Sequence, residues 1–285
     1  MNKLIMKKVF FIFCILACCL VSCQKEGEFS PERKISKIYT TDIYGNRELS
    51  EEWIWENNNL ERIDYYIRGV VTYSYNFSYQ NNRLVSLTCN QKNMRIDYQY
   101  EKGHLVSAQT YKDDKLMADY QFTYKNGHMS TVCAKYHYDD KSEPIQLCNP
   151  LDFILSYDVA HTLNQLFEKQ NGKSKGRILE EEFSLSWKNG DLIKISTTLL
   201  IAHSGLNSGY TVSATYDKHR NPFYGAFNTL WGNPEMTSYS KHNITQITGN
   251  QYKEIYTYTY DGNFPVNKQY IGDGLIQLIE YEYLP

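Results

Sequence analysis

One pattern runs through most of the chain: an aromatic residue, four polar or turn-forming residues, then an aliphatic residue. It occurs from Trp55 to Leu60, Tyr79 to Leu84, Tyr100 to Leu105, Tyr124 to Met129, Trp187 to Leu192 and Tyr239 to Ile244. The first four copies start 21 to 24 residues apart, and a fixed spacing in this range marks a repeat architecture. Asn126-Gly127 and Asn189-Gly190 are the preferred central pair of a type I′ turn, in which both residues take positive φ. A two-residue loop of that kind sets Lys125 opposite His128 and Tyr124 opposite Met129. The aromatic and aliphatic residues then share one face of a hairpin, a pairing that contributes up to ~1 kcal/mol beyond the backbone ladder. The flanks alternate apolar and polar, as in Phe122-Thr123-Tyr124 and Leu185-Ser186-Trp187, which predicts half-buried strands.

The pattern predicts an all-β domain over 35–285: a curled antiparallel sheet built from consecutive β-hairpin repeats, with one inserted helix. The insert falls where the repeat is interrupted, at about 145–177. There Asp152 reads as a helix cap, Phe153, Tyr157, Ala160, Leu163 and Phe167 share one face at helical spacing, and Asn171-Gly172 reads as a stop. Tyrosine supplies 26 residues of the chain. Those in phase with the repeat are expected to be the sheet's own packing residues. Tyr65, Tyr66, Tyr73 and Tyr75 fall outside that phase and are the candidates for a binding surface.

The N-terminus carries an address. Lys3, Lys7 and Lys8 precede an uncharged apolar run from Val9 to Val21, which is shorter than the ~20 residues of a membrane-spanning helix. These are the marks of a cleaved secretory signal over 1–22. The ending Leu20-Val21-Ser22-Cys23 resembles the lipobox of bacterial lipoproteins, which implies lipidation of Cys23 and attachment to a membrane without a transmembrane helix. Residues 23–34 are poor in apolar side chains and include Gly27 and Pro31, so they are expected to form the lipidated N-terminus and a flexible tether. The acidic residues after Cys23 also resemble the surface-export signal of Bacteroidetes lipoproteins. An ordinary tether facing the periplasm has the same composition, so the choice between surface and periplasmic face stays open.

Removing the signal takes away three lysines and no acid, leaving 27 basic against 32 acidic residues and a net charge of −5. That balance excludes a nucleic-acid partner of the usual basic kind. Roughly 260 residues remain, enough to bury a sizeable core. Cys89, Cys133 and Cys148 also remain. An odd count permits one bridge, Cys133–Cys148 or another pair, or buried free thiols.

No catalytic motif is present: no phosphate loop, no Gly-x-Ser-x-Gly, no His-Glu-x-x-His and no Cys-x-x-Cys. His104, His128, His219 and His242 fall in turns and are expected to be solvated rather than metal ligands. Asp139-Asp140 with Glu143, and Glu180-Glu181-Glu182, are carboxylate clusters, with calcium binding or acid–base work set against the commoner meaning, a solvated loop or charged strand edge. No cofactor, no metal and no catalytic residue is assigned.

The later segments Tyr216-Asp217 through Asn221-Pro222-Phe223 to Gly225, His242-Asn243-Ile244, and Tyr256 to Pro265 carry a resemblance. With the repeat itself, they resemble the RHS/YD repeat, and more closely the YD-like repeats of Bacteroidetes lipoproteins of unknown function. The likeness covers about 35–285 and implies a cell-envelope, outer-membrane location, with no chemistry attached. Only Asn82-Arg83-Leu84 keeps the Arg-Leu step of the stricter repeat, and the units are too few for a cargo-enclosing shell. Three functions of different class follow. The leading one is a noncatalytic, lipid-anchored envelope module that binds a glycan or an envelope protein, or serves as a scaffold. The others are an assembly component of an outer-membrane complex and a polysaccharide-acting hydrolase.

Overall fold

The structure is a computed structural model, which describes residues 26–42, 44–137, 178–201, 207–226, 236–249, 253–272 and 275–285. The signal, Cys23 and the helix expected within 145–177 lie outside the described residues. Sixteen strands follow one another: β1 (Ile35–Thr41), β2 (Arg47–Glu56), β3 (Asn59–Ile67), β4 (Val70–Gln80), β5 (Arg83–Cys89), β6 (Met94–Glu101), β7 (His104–Lys112), β8 (Lys115–Lys125), β9 (His128–Tyr136), β10 (Ile178–Lys188), β11 (Asp191–Ile201), β12 (Asn207–Arg220), β13 (His242–Thr248), β14 (Lys253–Asp261), β15 (Phe264–Gly272) and β16 (Leu275–Tyr283). A one-turn helix, α1 (Met236–Tyr239), precedes β13.

Each strand pairs antiparallel with its sequence neighbours, and β1 pairs with β16, from Ile35 opposite Tyr283 to Thr41 opposite Leu278. The sheet is therefore a closed barrel. The expected curled sheet is all-β and antiparallel, but its two edges meet. Full closure is the complete solution to the hazard of exposed strand edges.

The hairpin turns show why the sheet curls. Asn57-Asn58, Asn81-Asn82, Lys102-Gly103, Asn126-Gly127 and Asn189-Gly190 all have positive φ at both positions, as type I′ turns require. They lie at one end of the barrel, called the base here; the opposite end is the rim. Next to each turn the repeat residues face one another: Trp55 and Leu60, Tyr79 and Leu84, Tyr100 and Leu105, Tyr124 and Met129, Trp187 and Leu192. One residue further on, each register slips. Glu61, Val85, Val106, Ser130 and Ile193 are the extra residues of five successive β-bulges. A bulge bends its strand and increases the local twist, so a bulge in every hairpin at one end coils the sheet until it closes.

The bulges also give five of the aromatic residues a polar role. A bulge disrupts the local hydrogen-bond ladder. The polar tip of an aromatic residue on a nearby strand then reaches a carbonyl near the base. Tyr124 donates to the Leu105 carbonyl (2.9 Å), Trp187 to Met129 (2.6 Å), Tyr216 to Leu192 (2.5 Å), Tyr258 to Ile244 (2.7 Å) and Tyr283 to Pro265 (2.7 Å). Phenylalanine would supply the ring but leave the acceptor without this donor.

The sixth repeat unit is corrected. Tyr239 ends α1 and does not face Ile244 across a turn; Ile244 pairs with Tyr216 of β12. The hairpin has the usual aromatic–aliphatic pair, but 27 residues lie between its two members instead of four.

The core sits inside the barrel. On β8, Tyr120 and Phe122 are buried while Gln121 and Thr123 are exposed; on β10, Phe183 and Leu185 are buried while Ser184 and Ser186 are exposed. On β14, Thr257 and Thr259 are exposed between Tyr256, Tyr258 and Tyr260. Outward side chains bond one another: Asp64 accepts from Ser74 (2.5 Å) and pairs with Arg62 (3.0 Å), and Asp97 takes Ser86 (3.0 Å) and Arg95 (3.1 Å) in the same way. A membrane-spanning barrel has an apolar band outside and a polar lumen. Here the polarity is reversed.

Candidate functional site

Two regions of the interior concentrate chemistry: the base, where the barrel is closed, and the wall nearer the rim, where carboxylates face inward.

At the base, the N-terminal segment enters the barrel. Phe29 is buried against Trp55 (ring centroids 5.5 Å) and Trp53 (6.5 Å). The Glu26 carboxylate accepts from the Leu105 N–H (2.7 Å) and the Tyr124 hydroxyl (2.5 Å), and the Leu84 N–H donates to the Gly27 carbonyl (2.9 Å). The expected flexible tether over 23–34 is thus corrected from Glu26 onward. A segment poor in apolar residues still packs here, because a preformed aromatic surface receives Phe29 and two donors hold the half-buried Glu26 carboxylate.

The connection from β12 to β13 closes the base from the other side. Phe223 packs edge-on against Trp53 and Tyr281, both at 5.8 Å, and Tyr239 packs on Trp187 at 6.0 Å. Asn221 donates to the carbonyls of Thr237 (2.6 Å) and Ser240 (2.8 Å), and Ser240 accepts from the Leu192 N–H (3.1 Å). Gly27 gives a test of the packing. Its φ is +83°, and a Cβ there would lie 2.6 Å from the Tyr100 hydroxyl and 2.7 Å from Arg83 Cγ. Gly45 has a similar φ of +86° with nothing within 4 Å. Gly27→Ala is expected to lose about 1–2 kcal/mol more than Gly45→Ala in chemical unfolding; equal losses would show that the N-terminal segment is not packed as described.

The turn histidines keep part or most of their surface in solvent, and each also contacts a neighbour. His104 lies over Tyr124 (4.4 Å), His128 over Trp187 (5.0 Å) and His219 over Tyr260 (3.8 Å), while His242 Nδ1 bonds Asp191 (2.8 Å). Among the described residues no three His, Cys, Asp or Glu side chains come together as metal ligands.

The four off-phase tyrosines separate. Tyr65, Tyr73 and Tyr75 form one inward cluster on β3 and β4, with Tyr65 stacked on Tyr73 at 4.7 Å and on Tyr75 edge-on at 5.3 Å; Lys92 Nζ lies 3.9 Å from the Tyr73 ring centre. Tyr66 faces outward and donates to Glu52 (2.8 Å), which holds its hydroxyl above the usual phenol range.

The Glu180-Glu181-Glu182 cluster is not a uniform solvated edge. Glu180 and Glu182 are exposed, while Glu181 is 5% exposed on the inner face. Tyr136 donates to it at 2.7 Å. Burial pushes the Glu181 carboxyl up to about 7, against the lowering effect of that bond. Glu254 of β14 is likewise buried inward and accepts from Tyr256. Sequence reading missed both, although a signal exists: Glu181 is in phase with Phe183, Leu185 and Trp187, and Glu254 with Tyr256, Tyr258 and Tyr260. β10 and β14 are four strand steps apart, roughly 19 Å along the wall at about 4.8 Å per step. Asp139, Asp140 and Glu143 lie outside the described residues. Cys89 is a buried free thiol and Cys133 an exposed one; Cys148 lies outside the described residues.

No protein-family model matches the chain, and no curated protein sequence does. Among solved structures, the chain is similar to a porin-like protein from Bacteroides vulgatus ATCC 8482, with a TM-score of 0.52 and 12% identity over 89% of this chain and 100% of that chain. At that identity the likeness is one of fold: a large closed antiparallel barrel.

Proposed function

We propose that the protein is a noncatalytic binding or scaffold module of the outer membrane, anchored by lipid on Cys23 and kin to the YD-like repeat lipoproteins. The observation that carries this reading is the polarity of the wall. An exterior of Ser, Thr, Gln and charged residues around an aromatic interior suits a barrel standing in water, which needs a separate anchor to stay at a membrane. The porin-like fold of the structural neighbour supports an envelope setting. In a host that processes lipoproteins, the wild-type chain is expected in the membrane fraction and to incorporate labelled fatty acid; Cys23→Ser is expected to lose both. Retention of Cys23→Ser in the membrane would refute the anchor. The ligand-facing part is the rim half carrying Tyr65 and Tyr73, and a glycan or envelope protein is the ligand class. A screen of both classes that returns no binder would remove the binding half of the proposal.

A second reading, an assembly component of an outer-membrane complex, is favoured by one observation. Tyr44 (83% exposed) in the β1–β2 turn, and Ile67 (57%), Val70 (67%), Val71 (41%), Ile255 (37%) and Ile271 (39%) on β3, β4, β14 and β15, are exposed large apolar residues near the rim of a region made contiguous by the β1–β16 closure. A stoichiometric companion on co-purification, lost in Val70→Asp, would favour this reading.

A further inference from the structure

We propose that the base of the barrel rests directly on the bilayer that holds the Cys23 acyl chains, with anionic headgroups as the surface it contacts. This rests on the lipidation proposed above. Glu26 is gripped inside the base by the Leu105 N–H and the Tyr124 hydroxyl, and only three residue steps separate it from Cys23. Three steps reach at most about 11 Å. The base is therefore tied within that distance of the lipid attachment, and the acyl chains have no long tether on which to hold the barrel clear of the headgroups.

The charge on the base fits that neighbour. Lys102, Lys125, Lys188, Lys218 and Lys241 are exposed at the base ends of β6 to β13. Arg83 joins them, half-buried with its guanidinium 5.0 Å from the Tyr100 ring centre. On the same arc Glu101 is exposed, whereas Asp191 and Asp217 are committed to His242, Asn243 and His219. Glu28, within the N-terminal segment, is half-buried. On the remaining seven strands Arg33 pairs with Asp261 and Arg220 with Glu32, while Glu56, Glu61 and Glu282 are exposed near the base ends of β2, β3 and β16, so the positive face is confined to the β5 to β13 arc. An arc of lysines facing away from the barrel, on the side where the anchor emerges, is the juxtamembrane basic pattern attracted by anionic lipid.

The test uses lipidated protein in vesicles of 3:1 phosphatidylcholine to phosphatidylglycerol, in a Cys133→Ser, Cys148→Ser background. A fluorophore is placed on Asn126→Cys at the base or on Asp113→Cys at the rim. β8 joins the turns that carry the two sites, and its eleven residues, tilted as barrel strands are, put them roughly 25 Å apart in height. With a headgroup-attached quencher, the base label is expected to be quenched at least five-fold more than the rim label. That ratio is expected to fall about two-fold or more at 0.5 M salt and in the exposed-site variant Lys102→Glu/Lys125→Glu/Lys188→Glu. Salt dependence of the wild-type charge pattern needs no substitution and so does not depend on the variant folding. Equal quenching of the two labels in protein shown by mass to be lipidated overturns this inference alone. A ratio insensitive to both salt and charge reversal overturns the anionic-surface part. Absence of lipid on Cys23 overturns it together with the anchoring reading.

Discussion

Replacing Glu181 by Gln is expected to remove a loss of stability that the wild-type barrel suffers as pH rises from about 4.5 to 7. The Glu181 carboxyl is pushed up to about 7 by burial, from an ordinary 4.5. Between those values the folded protein holds a proton that the unfolded chain has released, so stability falls with rising pH through that window. Above pH 7 the buried group is charged, and the accumulated cost is about 3 kcal/mol. Gln keeps an oxygen that can accept from Tyr136 and cannot ionise. Urea unfolding at pH 4.5 and pH 8 should show the wild type losing about 3 kcal/mol more than Glu181→Gln across the interval. Parallel losses would mean that Glu181 is not buried as a protonated acid.

Trp53→Ala is expected to be the most damaging single truncation at the base. Trp53 is 4% exposed, its ring contacts Phe29, Trp55 and Phe223, and its indole N–H donates to Glu51 at 2.8 Å. It is the residue on which the N-terminal segment and the β12–β13 connection meet. Removing a buried tryptophan costs about 3–5 kcal/mol. Because both closing segments depend on it, limited proteolysis should cut near Phe29 and Phe223 well below the denaturant midpoint of the variant. A loss under about 1 kcal/mol, with no new cleavage, would show that these segments are held elsewhere.

The legible part of this fold was the part written in turn chemistry. Asn and Gly at paired positive-φ positions announce a type I′ hairpin, and the aromatic and aliphatic residues on either side then have to meet. The bulge that follows each turn has no such signature: Glu61, Val85, Val106, Ser130 and Ile193 share no property, because an extra residue in a strand has only to fit. Closure was hidden for the same reason, since it depends on accumulated bending and on pairing β1 with β16 from opposite ends of the chain. Tyr239 mimicked the repeat by chance of spacing, while the true partner of Ile244, Tyr216, was masked by a long connection.

The site was less legible than the fold. Phe29 and Glu26 sit in a stretch whose composition reads as linker; Trp53 and Trp55 give the ring a place, and the Leu105 N–H and Tyr124 hydroxyl hold the carboxylate. Glu181 was read as one charge among three, though strand periodicity puts it on the apolar face. The off-phase tyrosines were read as one surface, yet Tyr65 and Tyr66 are neighbours on one strand, and alternation turns Tyr66 outward when Tyr65 faces in. The inward-facing carboxylates were not legible as a group, since they lie on strands spread around the wall and leave no local spacing in the sequence.

The aromatic face of this barrel lies inside and its outer wall stands in water, an arrangement open to a direct test. It is tested most directly by placing single cysteines on that wall, at Thr123, Ser186 and Thr257, in a Cys133→Ser, Cys148→Ser background. Each is then exposed to a membrane-impermeant thiol reagent on opened membranes that carry the anchored protein. All three positions are expected to be modified as fast and as fully as a cysteine in an exposed loop. Protection of these positions as a band across the wall, relieved only by detergent, would show lipid around the barrel and would contradict the account.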